Sequence, residues 1–446
     1  MNDFATPLLT DAYQFTMLQA LADHGMNETA VFEFFVRKLP RDRNFLIAAG
    51  LEQVIDYLEN LRFTSDELDW LKQSGLVRPG FVDTLADFHF TGSVHAVPEG
   101  TVVFPNEPLL RVEAPMREAQ LVESRLINLL HFQTMIASKA VRVRMAAPDK
   151  LIFDFGLRRA HGAEAGLLSA RASYIAGFSG TATVLAGARW GIPLFGTMAH
   201  SFIQAHASEA EAFRDFAESH PDRTVLLIDT YDTEAAARGL VPLAQALAMR
   251  GIDVRGIRLD SGDLADHARQ VRRILDQGRL PGVRIYASGD LDEYKLRTLA
   301  EAPIDGFGVG TRMNTSADAP YLDCAYKLQE YAGIPRRKRS AGKATWPGSK
   351  QVFRYWDAQG KMAGDLLTTA DDHAPGEALL KPVLAGGKRL ADTPGLDAIR
   401  QHVCRQLDGL PLRWRGLESA ESYPVSISPR LEALAKRVDA SIPRWE

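Results

Sequence analysis

Residues 256–264 read GIRLDSGDL, and the reading of this stretch decides the architecture around it. Val254, Ile257 and Leu259 make a short apolar strand that breaks at Asp260-Ser261-Gly262-Asp263 and hands over to a helix. An acid, a hydroxyl and a glycine at such a junction suit two uses. Asp260 or Ser261 can cap the helix by accepting from its free N–H groups, or the turn can cradle ribose hydroxyls and phosphate at the same helix start. Alone, the turn fits either use, and capping is the commoner one. Its neighbours have to decide.

On both sides of this stretch, strand and helix alternate. Expected strands are Lys150–Phe155, Ile192–Thr197, Thr224–Asp229, Val254–Asp260, Val283–Ala287 and Gly306–Gly310, each except the last followed by a helical pattern. After the fourth, Leu264, Ala268, Val271 and Ile274 form a helical stripe. Six βα units in sequence predict a parallel sheet covered by helices. No dinucleotide-type glycine fingerprint follows the first strand, which favours a barrel over an open sheet.

The flanks differ. Residues 2–87 read as short helices around one strand-like run, Ala30–Val36, which delivers the cations Arg37 and Lys38 to its far end. That pair suits a solvated strand end or an anion. From Gly92 to Pro115, prolines and glycines cut the chain into short β runs, and from Arg117 to about Ala147 a helix is apolar on several faces, as at a junction between layers. After Thr311 the alternation fades into a basic loop, Ile334–Gly348, and a hairpin of 350–357 with 361–367. The expected organisation is an α/β N-terminal domain over 1–147 with its linking helix, a (β/α) barrel over 148–330, and a segment over 331–446 that packs on the first domain.

At 446 residues, with 46% hydrophobic and 24% charged residues, the chain has the composition of an ordinary globular protein of more than one domain. A net charge of −4 argues against nucleic-acid binding through a bulk basic surface. Cys324 and Cys404 are the only cysteines, so neither a disulfide framework nor a cysteine zinc site is expected, and a reducing cytoplasm fits. The opening MNDFATPLLTDAYQ carries acids and no long apolar run, so no signal peptide or membrane span is expected.

In a parallel barrel the site lies at the C-terminal strand ends. Those ends carry Phe155-Gly156-Leu157-Arg158, Thr197 to His200, Asp229 to Asp232, Arg258 with Asp260-Ser261, Ser288-Gly289-Asp290, and Gly308 to Thr311. Arginines for anions, acids for hydroxyls, one histidine, an aromatic face and glycine turns suit a sugar phosphate. Each also has a plainer use. His200 fits a surface or cap position, Asp229 and Asp232 can cap the next helix, Gly308 and Gly310 suit tight turns, and Phe155 suits the core.

Eight strings in this order, LLTDAYQFTM, FEFFVRKLP, DFGLRRAHG, GTMAHSF, LIDTYDT, GIRLDSGDL, ASGDLDEY and DGFGVGT, span residues 8–311, and PGSKQVFR extends the match to 354. Together they closely resemble the nicotinate phosphoribosyltransferase family. The resemblance implies the type II phosphoribosyltransferase fold: an irregular (β/α) barrel with an N-terminal α/β domain that C-terminal segments can complete. It implies an enzyme that joins nicotinate to 5-phosphoribosyl 1-pyrophosphate with coupled ATP hydrolysis, using Mg²⁺ with ATP and pyrophosphate. No tightly bound organic cofactor and no protein-held metal are expected, and the chain is expected to form a homodimer with shared sites.

Residue by residue, Phe155 resembles the aromatic stacked on the pyridine, and Tyr13 the one supplied to its other face by the neighbouring subunit. Arg158 and Arg258 resemble the cations near the carboxylate and ribose phosphate, while Asp260 and Ser261 resemble ribose-binding groups. Gly289, Asp290, Gly310 and Thr311 match the 5′-phosphate turns. His200 matches a histidine phosphorylated by ATP, and Asp229 its orienting acid. Arg37, Lys38 and the 336–343 loop supply cations for the leaving pyrophosphate. In FSGTATV, Ala182 stands where the nicotinamide-using relatives place an acid; a carboxylate there would favour an amide substrate, so its absence points to nicotinate. His161 has no role beyond pocket lining. The alternatives are a nicotinamide or quinolinate phosphoribosyltransferase, or a catalytically silent nucleotide-binding protein on the same fold.

Overall fold

The computed structural model describes residues 6–442. Its contacts divide the chain into two units, Lys139–Pro320 and a second made of Met1–Ser138 with Tyr321–Glu446. In the first unit, strands β1 (Leu151–Asp154), β2 (Gly180–Thr181), β3 (Val225–Leu227), β4 (Gly256–Leu259), β5 (Arg284–Ser288) and β6 (Gly306–Val309) form one parallel sheet in the order β2-β1-β6-β5-β4-β3. These strands are short and almost wholly buried, as expected where helices such as Ala163–Ile175, Thr233–Ala248 and Leu264–Gln277 intervene.

The sheet curls strongly. Arg258 on β4 donates to the Thr197 hydroxyl at 2.9 Å, although Thr197 follows Leu194, which bridges the far edge at β2. Five strand positions in a flat sheet would separate them by about 24 Å at about 4.8 Å per strand. The concave interior is filled by side chains: Phe153, Val225 and Tyr286 pack with Leu151, Phe155 and Phe195. Phe195 stacks on Phe153 with centroids 4.0 Å apart and lies 5.0 Å from Tyr286, contacts worth about 0.5–1.5 kcal/mol each beyond their burial.

One expected strand is not formed. Ile192–Thr197 makes only a single bridge, Leu194 to Thr181, while the unanticipated β2 takes the place beside β1. Pro193 has no N–H to give a ladder, and Gly191 and Gly196 bound the run, so its pairing stops at once. Among the described residues, nothing pairs this stretch with β3, and the barrel is left open along that seam. This is the irregular barrel, not a regular closed one.

The second unit is built on Thr29–Val36, which pairs antiparallel with Pro108–Pro115 on one side and Cys324–Tyr331 on the other. Ser93–Ala96, Lys381–Ala385 and Lys388–Arg389 extend the sheet one way and Ile334–Pro335 the other, so C-terminal segments complete both edges of the N-terminal sheet. The expected hairpin is present as Lys350–Trp356 with Met362–Thr369. Its first residue is a buried anchor: Lys350 Nζ donates to the carbonyls of Trp346 and Gly348 at 2.7 Å and pairs with Glu33 at 2.9 Å. The long helical run is split at Val122 into Met116–Leu121 and Glu123–Ala146, and the boundary between units falls within the second helix. Among the described residues, no helix is long and apolar enough to cross a membrane.

Candidate active site

In the parallel sheet the C-terminal ends of all six strands lie on one side, and the polar residues gather there. Arg258, near the end of β4, is the most constrained of them. Its guanidinium lies 6.0 Å from the centroid of the Phe155 ring, and its Nε is buried without a partner. Burial lowers its pKa, Asp260 and Asp229 oppose that effect, and the neighbouring Arg158 adds to it. A buried, unsatisfied guanidinium N–H is costly, and an anionic ligand is the group that would satisfy it.

Phe155 follows β1 and keeps its place because residue 308 has no side chain: a Cβ there would lie 2.3 Å from the ring. Arg158 sits in the 3₁₀ turn Leu157–Arg159 and is exposed, as is His161. Ala182 is exposed just past β2, its N–H donating to the Asp154 carbonyl at 2.8 Å.

The turn after β4 divides its two possible uses between different residues. Asp263 caps the Leu264–Gln277 helix, accepting from Ala265 and Asp266 at 3.1 and 3.0 Å. Neither Asp260 nor Ser261 does so, and both face the strand-end side. The Ser261 hydroxyl donates to Asp229 at 2.7 Å, the Asp260 N–H donates to the same carboxylate oxygen at 2.8 Å, and the Asp260 side chain accepts from the Ser288 hydroxyl. Asp229 is likewise released from capping, because Asp232 caps the Thr233–Ala248 helix. The other oxygen of Asp229 is buried and partnerless.

The expected pairing of Asp229 with His200 is not made. His200, first residue of the short helix His200–Gln204, meets the Thr230 hydroxyl through Nδ1 at 3.1 Å. Asp229 is drawn to the N–H and O–H of the 260–261 turn, and the next residue serves the histidine.

Gly289 follows β5 with φ of +105°, and a Cβ there would fall 2.2 Å from the Asp260 carbonyl, so this turn and the β4 turn press together. Asp290 does not present a bare carboxylate. Arg312 at 2.9 Å and Lys295 at 3.0 Å hold it, the Arg312 hydrogen bond first among causes that push its pKa down to about 2. Any phosphate there would meet backbone N–H groups and these two cations. Gly310 is half-buried and Thr311 exposed at the start of the Thr311–Asn314 turn.

Tyr13 and Arg37 belong to the other unit. Tyr13 lies 48% exposed on the Ala12–Asp23 helix, and Arg37 pairs with Asp323 at 3.0 Å. Sequence reasoning placed Thr197, Thr230 and Ser288 at the strand ends but gave them no partners, and it missed Lys295 and Arg312, which hold Asp290, and Asp154 with Thr181 and Asn314. The last group had a signal: an acid inside the apolar run LIFDF needs buried donors. Among the described residues, no group of three or more His, Cys, Asp or Glu side chains is placed to hold a metal ion.

Known proteins resemble this chain along most of its length. Family models match in three successive stretches: the nicotinate phosphoribosyltransferase (NAPRTase) N-terminal domain at 8–131, the NAPRTase family at 151–334 and the C-terminal domain at 372–435. The chain is 47% identical over 428 residues to nicotinate phosphoribosyltransferase pncB2 of Mycobacterium tuberculosis, covering 95% of this chain and 92% of that one. It is 36% identical to the Bacillus subtilis nicotinate phosphoribosyltransferase, covering 96% and 94%. The crystal structure of human nicotinic acid phosphoribosyltransferase superposes with a TM-score of 0.87 at 28% identity, over 97% of this chain and all of that one. The chain belongs to the nicotinate phosphoribosyltransferase family.

Proposed function

We propose that this enzyme converts nicotinate and 5-phosphoribosyl 1-pyrophosphate to nicotinate mononucleotide and pyrophosphate, a step of NAD salvage, with ATP hydrolysis coupled through His200. The observation that carries the choice of pyridine is the buried Nε of Arg258 without a partner, beside the Phe155 ring, with the neutral Ala182 at the next strand end. A buried guanidinium N–H left free to donate, with no acid at position 182, favours a carboxylate over an amide.

The chemistry needs the pyridine nitrogen to attack ribose C1 from the face opposite the departing pyrophosphate. Phe155 and Arg258 fix the ring in plane, with Tyr13 of a second subunit on its other face in a homodimer. The Asp260–Ser261 turn, held by Asp229, binds ribose hydroxyls, and the Gly289–Asp290 and Gly310–Thr311 turns take the 5′-phosphate. Such positioning is the main catalytic contribution for a dissociative displacement, since little proton transfer is involved. Arg37, Lys38 and the basic loop stabilise the leaving group. Mg²⁺ bound to the pyrophosphate and ATP would lower their charge. Transfer of the ATP γ-phosphoryl group to an imidazole nitrogen of His200, releasing ADP, adds negative charge near the pocket until water removes it.

Purified protein assayed with nicotinate, nicotinamide and quinolinate is expected to turn over nicotinate fastest; faster turnover of either rival overturns the choice. His200→Ala is expected to abolish the ATP dependence of product formation. An unchanged ATP dependence rules out the phosphohistidine.

A further inference from the structure

Asp154 ends β1 and is completely buried, yet among the described residues no cation pairs with it. Its Oδ1 accepts from the Gly156 N–H at 2.9 Å and from Asn314 Nδ2 at 2.8 Å, and its Oδ2 accepts from the Thr181 hydroxyl at 2.7 Å. Each partner lies on a different strand end. Thr181 closes β2 and immediately precedes Ala182; Asn314 closes the turn that begins at Gly310 and Thr311; Gly156 follows Phe155. Because β1 lies between β2 and β6, one carboxylate at its tip reaches both neighbours.

The backbone runs in parallel with these bonds. Ala182 donates its N–H to the Asp154 carbonyl, and Phe155 donates to the Val309 carbonyl at 2.9 Å. The Asn314 amide is oriented by the acid, with its oxygen left buried and partnerless. Turning the amide over would set that oxygen against the carboxylate. Thr181 also receives the Thr183 N–H at 3.0 Å, so its single proton is committed to Asp154. Burial raises the Asp154 pKa, and bonds from Thr181, Asn314 and Gly156 work against that rise. A buried acid without a cation is an expensive way to join strands already joined by their ladder.

We infer that Asp154 is the positioning residue of the substrate site: through Thr181 it sets the loop at Ala182 against the pyridine, and through Asn314 it sets the Gly310–Thr311 turn for the phosphoribosyl group. The inference rests on the nicotinate phosphoribosyltransferase reading of the site. Asp154 touches neither substrate; it fixes the distance between the two things that bind them.

Three single variants, Asp154→Asn, Thr181→Val and Asn314→Ala, test it by steady-state kinetics with each substrate varied in turn, alongside thermal unfolding. Asp154→Asn is expected to raise KM for nicotinate and for 5-phosphoribosyl 1-pyrophosphate together, each by about tenfold or more, as misplacement of bound groups predicts. The near-isosteric Thr181→Val is expected to raise the nicotinate KM and leave the other within about twofold, and Asn314→Ala to do the reverse. A strand tie with no positioning role would lower the unfolding temperature in all three and leave both KM values unchanged, which overturns the inference. Should Asp154→Asn not fold, the division of effects between the other two decides: a divided effect upholds the inference and an undivided one overturns it. Wild-type protein that does not turn over nicotinate removes the reading beneath it, a failure told apart because no variant is involved.

Discussion

Phe155 and Arg258 meet because residue 308 is glycine. A methyl at that position would come 2.3 Å from the Phe155 ring, so Gly308→Ala must push the ring aside. The expected result is a nicotinate KM raised by about tenfold with a modest loss of stability, measured by initial rates and urea unfolding. Asp290 separates binding from stability in a different way. Its pKa is depressed to about 2 by Arg312 and Lys295, so its contribution to folding is present above pH 3.8 and is lost as the pH falls toward 2. The pair is solvent-exposed, and screening reduces that contribution to less than about 1 kcal/mol. Asp290→Asn is therefore expected to leave the urea midpoint at pH 7 nearly unchanged. It should raise the KM for 5-phosphoribosyl 1-pyrophosphate severalfold, because Arg312 and Lys295 lose the group that orients them; an unchanged KM would mean that they take no part.

The strand-to-helix turns show how elements share work. After β4, Asp263 satisfies the helix N-terminus, and that leaves Asp260 and Ser261 to bond Asp229 and Ser288 at the strand ends. Their type and order were legible in GIRLDSGDL, but the division of labour was not, since three polar residues within four positions all qualify as caps. The same holds after β3, where Asp232 caps and Asp229 does not. Short apolar runs marked five of the six strands. The two-residue β2, made of Gly180 and Thr181, has no period to read. At the Lys350–Trp356 hairpin, the buried Lys350 binds Glu33 and two loop carbonyls. Lys350→Met strands the Glu33 carboxylate and is expected to cost about 3–5 kcal/mol by chemical unfolding, with the double change Glu33→Gln, Lys350→Met recovering part of that loss. A double variant no more stable than the single would show the two residues to be uncoupled.

For the whole molecule, the strongest expectation concerns assembly. Tyr13 is about half exposed on its helix, and the proposed role places it in the site of a second subunit. Tyr13→Ala and Phe155→Ala proteins should each be nearly inactive alone. Mixed and allowed to exchange subunits, they should regain about a quarter of wild-type activity, because half the dimers are mixed and each holds one intact site. No recovery, in a mixture shown to have exchanged, would place Tyr13 in the site of its own chain or in none.

From the residues alone one could read the alternation of strand and helix, the polar chemistry at one end of every strand, and the ordered strings that mark the family. These are local properties, carried by periodicity and by residue types a few positions apart. The tertiary structure decided the partners. Asp154 and Asn314 are 160 residues apart and meet only because β6 lies beside β1; Arg258 and Thr197 meet only because the sheet curls. Which oxygen of which acid accepts from which donor depends on strand order and curvature, and no short-range pattern encodes either.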